Sequence, residues 1–307
     1  LNDRPTREQL LEIQEHFGLP SPSLVEKDWY VVKALSAVTT ADTGAFRLVF
    51  GGGTALSRAH GLIQRMSEDI DLKIIALRKP SRAELRGLRD IITAALLNAG
   101  FAFDPQNPAH RRSMYQNSYT RYQLPYAPIV EGKGVLRPEI QIETSVWPMR
   151  RPSADRPVRS FIAEGFDRPA EVPAIACAAI PETAAEKLVA LTRRAGAELA
   201  GLRKMRDPTL VRHIYDLHVI RAHYDAGDVA TLARGIMVEE AQERARDFPA
   251  YAADPRAESL KAIAGIAAGG DFAKHYAEFL AAMVYGDVPD FDTAVATLNL
   301  LAEHLAA

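Results

Sequence analysis

Phe50-Gly51-Gly52-Gly53-Thr54-Ala55-Leu56-Ser57-Arg58, followed by Ser67-Glu68-Asp69-Ile70-Asp71-Leu72, is the stretch around which the rest of the chain is read. Leu48, Val49 and Phe50 form the end of a buried strand, and three glycines follow. Glycine lets the backbone turn sharply and lets a ligand approach, because no Cβ stands in the way. Thr54 is expected to cap a helical run from Ala55 to His60, whose free N–H groups favour an anion. Strand, glycine turn and helix start together make a phosphate cradle. The plainer alternative is a tight turn. Ile70 to Ile75 is then a second strand. Residues two apart on a strand share a face, so Asp69 and Asp71 project together while Ile70, Leu72 and Ile74 face a core. Two adjacent carboxylates repel unless a cation lies between them, and hard oxygen ligands suit Mg²⁺.

The order glycine turn, helix, acidic strand resembles the polymerase-β-type nucleotidyltransferases. Such sites take a third carboxylate from a neighbouring strand. The alternating segment Pro138 to Thr144 offers Glu143 first and Glu139 second. An exposed sheet face is the alternative reading of its polar side.

The 307 residues suffice for two domains, and 48% hydrophobic with 25% charged residues is ordinary for a globular protein. A net charge of −2 announces no global polycation, so any nucleic-acid surface is local. The single cysteine, Cys177, excludes an intramolecular disulfide and a Cys-based zinc cluster, and fits a reducing cytoplasm. Leu1 to Gln14 lacks an apolar signal core, and no run approaches the roughly 18 apolar residues of a membrane span. A cytoplasmic location and no membrane partner are therefore expected.

Elsewhere the periodicity predicts helices over Thr6 to Phe17 and Leu24 to Val38, with Leu19 to Ser23 as a break. Glu26, Lys27 and Asp28 read as a solvated first turn. Ser81-Arg82-Ala83-Glu84 is a capping box ahead of a helix to about Asn98, with Leu85, Leu88, Ile91, Ile92, Ala95 and Leu96 as its core stripe. Phe101 to Phe103 suits a short strand. From Arg111 to Tyr126 arginines and tyrosines interleave, which fits base stacking and phosphate contact, or, more plainly, a half-buried strand pair. Gly132-Lys133-Gly134 reads as a turn, Trp147 to Pro157 as a loop, and Val158 to Cys177 as two short strands. From Pro181 the pattern is helical: Ala184 to Arg194, Asp207 or Thr209 to His223, Val229 to Arg246, Ser259 to Ala267, Asp271 to Tyr285 and Phe291 to Ala306.

Between Lys187 and Arg212 seven cations face only Glu198 and Asp207. Lys187 and Arg194 share a helical face. A solvated helix and loop is one reading, and a triphosphate or RNA clamp facing the carboxylates is the other. Arg212 and Asp216 lie four apart and can pair. The spacing of His213, Asp216, His218 and His223 does not make a metal site.

Four blocks in order, Gly52-Gly53-Thr54-Ala55-Leu56-Ser57, Ser67-Glu68-Asp69-Ile70-Asp71-Leu72, Glu186-Lys187-Leu188 and Arg212-His213-Ile214-Tyr215-Asp216-Leu217, resemble the AbiEii/AbiGii family of nucleotidyltransferase-like toxins. Glu26-Lys27-Asp28-Trp29 resembles that family's N-terminal helix. The resemblance extends to about residue 223, and the later helices match only in kind. Many members carry Arg-Asp where this chain has Arg212-His213, so the role of that aspartate falls to Asp216 or is absent.

The resemblance implies a polymerase-β-type α+β fold: a mixed sheet with flanking helices over 1–180, then an all-α domain over 181–307. It implies a cytoplasmic bacterial toxin of a toxin–antitoxin or phage-defence pair, with a cognate antitoxin as partner. Its activity would be transfer of a nucleotide from an NTP to the 3′ end of tRNA. Gly52, Gly53, Thr54 and Ser67 would hold phosphates, and Asp69 and Asp71 would hold two Mg²⁺ ions, with Glu143, or second Glu139, as the candidate to complete one. Lys187 would bind the triphosphate with Arg194 and Arg212, and Asp216 would orient the nucleotide or Lys187. Arg58 adds a phosphate contact by position. Two other functions are compatible with the same residues: transfer to a small-molecule or protein hydroxyl, and an NTP-binding module with little turnover.

Overall fold

The computed structural model describes residues 1, 3–131 and 136–307; the Gly132-Lys133-Gly134 turn lies outside them. The chain divides into two compact units, residues 1–178 and 179–307.

The first unit opens with helices α1 (Arg7–His16) and α2 (Pro22–Thr39). Thr6 and Gln9 close a capping box on α1. Pro22 starts α2 behind the Ser21 cap, inside the stretch expected to be a break. Strand β1 (Arg47–Gly51) runs into a one-turn helix, α3 (Gly52–Thr54), and a π-helical turn, Ala55–Ala59. Then come β2 (Asp69–Ile75) and α4 (Arg82–Asn98), the latter with its Ser81–Glu84 capping box. Four of the six expected stripe residues of α4 are buried, whereas Ala95 is only half-buried and Ile91 is exposed. Strands β3 (Arg111–Met114), β4 (Tyr119–Pro125), β5 (Glu139–Val146) and β6 (Ala154–Val158) follow, then the short α5 (Phe161–Gly165) and β7 (Val172–Cys177). Thus 154–158 is strand rather than loop, and 161–165 is helix. Phe101 and Phe103 are buried without entering a strand.

The seven strands form one mixed sheet in the order β3-β4-β5-β2-β1-β7-β6. The central β2 runs antiparallel to β1 and parallel to β5. One face buries Ile70, Leu72, Tyr122, Ile140 and Ile142. Helix α2 packs against β2, β5, β7 and α4. It is buried nearly all round, including Glu26, Lys27 and Asp28 at 1%, 0% and 4% exposure. The expectation of a solvated first turn is therefore overturned: these charges are satisfied by residues distant in sequence.

The second unit is all helical: α6 (Ile180–Leu199), α7 (Val211–Val219), α8 (Ala226–Arg244), α9 (Pro249–Ala253), α10 (Pro255–Ala267), α11 (Asp271–Met283) and α12 (Phe291–Ala306). Helix α6 is longer than the sequence suggests. Helix α7 is shorter, preceded by a 3-10 turn at Pro208–Leu210 that Asp207 caps. Among the described residues no helix is long and apolar enough to cross a membrane.

Candidate active site

Asp69 and Asp71 lie half-buried on the sheet face opposite Ile70 and Leu72. In the parallel ladder Asp71 pairs with Glu143 and Asp69 with Gln141. Directly paired residues share a face, so Asp69, Asp71 and Glu143 stand together. Glu139, paired with Pro125 on β4, is two residues before Gln141 and close to the Gln123 amide at 3.3 Å. Register therefore favours Glu143 as the third carboxylate.

The carboxylates are turned to protein partners. Arg137 Nη2 binds Asp69 Oδ1, its Nη1 donates to Gln141 at 3.0 Å and its Nε lies 3.4 Å from Glu68. Gln141 Nε2 donates to Glu143 at 2.8 Å, and the nearby Tyr119 hydroxyl favours the ionised carboxylate. Burial raises the Glu143 pKa above the ordinary glutamate value, and the Asp69 charge adds to that. Among the described residues no three His, Cys, Asp or Glu side chains converge as a metal-holding group. The expected three-carboxylate set is thus present as a row in register but not as gathered ligands: Arg137 holds Asp69 and Gln141 holds Glu143. Hard, mutually repelling oxygen donors on one face fit a divalent cation once that guanidinium yields.

The glycine turn wraps the Asp71 end of this row. Gly52 has φ +70°, and a Cβ there would lie 1.9 Å from Asp71 Oδ2. A Cβ on Gly53 would lie 2.7 Å from both Arg65 Nη2 and Ser67 Oγ. At Gly52 both the positive φ and the Asp71 carboxylate call for glycine, and at Gly53 a side chain would have to displace Arg65 and Ser67. Thr54 does not cap the helix as expected. Its backbone is already helical, and its hydroxyl bonds the Asp69 carbonyl and Ser67 Oγ, the latter at 3.0 Å. The structure thus brings Gly52, Gly53, Thr54 and Ser67 to the Asp69–Asp71 strand. Arg58 departs from expectation. It lies on Phe161 at 3.8 Å, 3.4 Å from buried Asp28 and 3.3 Å from Glu164, so its charge is engaged in holding α5.

The buried α2 charges support this site from behind. Lys27 Nζ donates to the carbonyls of Arg137 and Glu139 at 2.7 and 2.6 Å and pairs with Glu68 at 3.1 Å. Glu26 accepts the amides of Ile129 and Val130, and Asp28 accepts that of Phe161 at 2.7 Å. Arg65, Arg137 and the Glu26-Lys27-Asp28 trio are site-region residues that sequence reasoning misses. The trio is signalled in advance by three consecutive charges in a largely apolar helix and by its likeness to the family's N-terminal helix, but neither signal gives its partners.

In the second unit Lys187 Nζ binds Asp216 Oδ2 at 2.6 Å, both buried. The other cations of the 187–212 block are mostly neutralised: Arg193 by Glu240 at 2.7 Å, Arg194 by Asp207, Arg203 by Glu198 at 3.7 Å and Arg206 by Asp271. Partners from outside the block, Asp216, Glu240 and Asp271, reduce the local excess. His213 is buried, and neither ring nitrogen has a hydrogen-bond partner among the described residues. Burial, then the nearby Lys187 and Arg212, hold its pKa well below the ordinary histidine value. A neutral imidazole cannot do an aspartate's work, which leaves Asp216 as the carboxylate of this helix.

A family model described as nucleotidyl transferase AbiEii toxin, type IV toxin–antitoxin system, matches residues 33–297. The chain belongs to the AbiEii family of nucleotidyltransferase toxins. The matched range covers all four sequence blocks and extends through the helices beyond 223, further than the motifs alone reach, while Glu26-Lys27-Asp28 lies before it. As a member of this family the protein is a nucleotidyltransferase with a mixed α/β sheet. Among solved structures it is similar to MenT4, a nucleotidyltransferase toxin from Mycobacterium tuberculosis. That match has 18% identity and a TM-score of 0.48, covering 78% of this chain and 72% of that one. No curated protein gives a significant match to the sequence.

Proposed function

We propose that this family member transfers a nucleoside monophosphate from an NTP to a hydroxyl at the 3′ end of an RNA, with tRNA as the acceptor class, and that a cognate antitoxin restrains it. The observation that carries the reading is the register pairing of Asp71 with Glu143, beside Asp69 and a glycine turn packed on Asp71. The acceptor hydroxyl attacks the α-phosphorus in line and gives up its proton to solvent, the bond to the β-phosphate breaks, and pyrophosphate leaves. Asp69, Asp71 and Glu143 would hold Mg²⁺. Two such ions supply activation of the attacking oxygen and charge neutralisation on the leaving one. Gly53, Thr54 and Ser67 would receive the triphosphate on backbone and hydroxyl donors. Lys187 would bind phosphate, with its ammonium oriented by Asp216. Lys187→Met is expected to weaken NTP binding at least tenfold.

The test is incubation of the protein with Mg²⁺, each α-labelled NTP separately, and total tRNA. Label on RNA with one or a few NTPs supports the reading. Intact NTP with no labelled product under every condition contradicts it, and label on protein or on a small molecule moves the acceptor to that class.

A further inference from the structure

One row of directly paired residues crosses the sheet from Arg112 on β3 through Arg121 on β4, Glu143 on β5 and Asp71 on β2 to Gly51 on β1. Paired residues share a face, so two arginines extend the carboxylate row on the side away from the glycine turn. Arg121 is half-buried and Arg112 is exposed. Neither makes an ion pair or side-chain hydrogen bond among the described residues, although Arg121 is near enough to Glu143 to favour its ionised form. Their neighbours are occupied: Arg111 binds Thr93 at 3.0 Å and lies 3.5 Å from Asp90, and Arg137 is held by Asp69 and Glu68. Like charges directly opposite in an antiparallel pair are destabilising. An Arg–Arg pair without a contacting carboxylate, at the edge of an acidic centre, would be relieved by an anion bound on top of it.

The position selects which anion. In-line displacement puts the attacking hydroxyl and the leaving pyrophosphate on opposite sides of the α-phosphorus. The glycine turn, Thr54 and Ser67 flank the carboxylates from β1, and this is where the triphosphate lies in the function proposed above. The acceptor then enters from β4 and β3. At the tip of the β3–β4 hairpin Tyr115 is 74% exposed and has φ +50°, followed by Gln116 and Asn117 at +58° and +71°. A left-handed run of this kind keeps the ring out of the sheet, free to stack a base. Arginines with an exposed aromatic are the elements of a single-strand track.

We propose that Arg121 and Arg112 bind the phosphate backbone of an RNA acceptor strand and, with Tyr115, lead its terminal hydroxyl to the Asp71–Glu143 pair. The proposal rests on the transfer reaction above and adds the place and chemistry of acceptor binding. It is tested with the Arg112→Gln/Arg121→Gln double variant and the corresponding double lysine variant. The measurements are anisotropy titration of a fluorescein-labelled single-stranded oligoribonucleotide over a KCl series, binding of a fluorescent NTP, and label transfer to tRNA. The glutamine variant should bind the oligoribonucleotide at least tenfold more weakly. The slope of log K against log salt should shrink by about 0.7 per lost phosphate contact. NTP binding should be unchanged, and the lysine variant should keep most of the salt slope. RNA affinity, slope and labelling equal to wild type would overturn the track and leave the transferase reading standing. Loss of NTP binding with RNA binding retained would also overturn it, because the arginines would then serve the triphosphate. A wild type that neither binds nor labels RNA would overturn both.

Discussion

Lys27 and Glu68 form an ion pair at 3.1 Å in which the lysine has no solvent exposure, and Glu68 is the residue immediately before the first strand carboxylate, Asp69. The ammonium also donates to two carbonyls at the start of β5. It thereby fixes the relative position of the segments that carry Asp69 and Glu143. Burial lowers its pKa below the ordinary lysine value, and Glu68 opposes that shift. Removing one partner of a buried pair typically costs about 3–5 kcal/mol. Lys27→Met should lose about that much in urea unfolding, and Lys27→Met/Glu68→Gln should recover part of it. Full stability in the single variant would show that the pair does not organise the strands.

Asp28, the next residue on α2, gives a pH signature. Burial pushes its pKa from 3.8 up to about 6, against the opposing pull of Arg58 and the Phe161 amide. A carboxyl whose folded pKa lies above its unfolded one stabilises fully below the unfolded value and loses that contribution as pH rises through the folded value. Relative to Asp28→Asn, the wild type should therefore lose about 3 kcal/mol between pH 4 and pH 7. Denaturant titrations at both pH values check this, and a constant difference would contradict it.

Gly52 separates backbone strain from close approach. Gly52→Ala meets both a positive φ and the Asp71 carboxylate, whereas at Gly61, with φ +65°, an added Cβ would have nothing within 4 Å. Gly61→Ala should cost only the strain, about 1–2 kcal/mol, and keep transfer activity. Gly52→Ala should lose transfer activity beyond what its stability loss explains. Equal behaviour of the two variants would remove the turn from the site.

Arg137 binds Asp69 and would compete there with the cation of the proposed reaction. Arg137→Gln should tighten Mn²⁺ binding several-fold in calorimetry, whatever its effect on turnover. Unchanged or weaker binding would mean that the guanidinium does not stand where the cation goes.

The carboxylate strand is legible in the sequence because period-two alternation places Asp69 and Asp71 opposite Ile70 and Leu72 without knowledge of the partners. Glu143 is only one of two candidates there, since register between strands so far apart in sequence is set by tertiary pairing. The α2 trio reads as solvated for the same reason: the groups that satisfy Glu26, Lys27 and Asp28 lie far along the chain, most of them 103 to 133 residues downstream. The basic block after Lys187 looks unbalanced because Glu240 and Asp271, which pair with two of its arginines, lie outside any local window. Thr54 looks like a cap by its position after glycine, yet its hydroxyl is drawn to the Asp69 carbonyl. Arg137 and Arg65 carry no local pattern at all.

The most direct measurement compares wild type and Asp71→Asn for transfer of α-labelled NTP to tRNA in Mg²⁺, with circular dichroism confirming that both are folded. The substitution keeps size and hydrogen bonding and removes one charge from the Asp71–Glu143 pair. Transfer should fall about a hundredfold or more. Wild-type transfer by a folded Asp71→Asn protein would contradict the assignment of this carboxylate face as the catalytic centre.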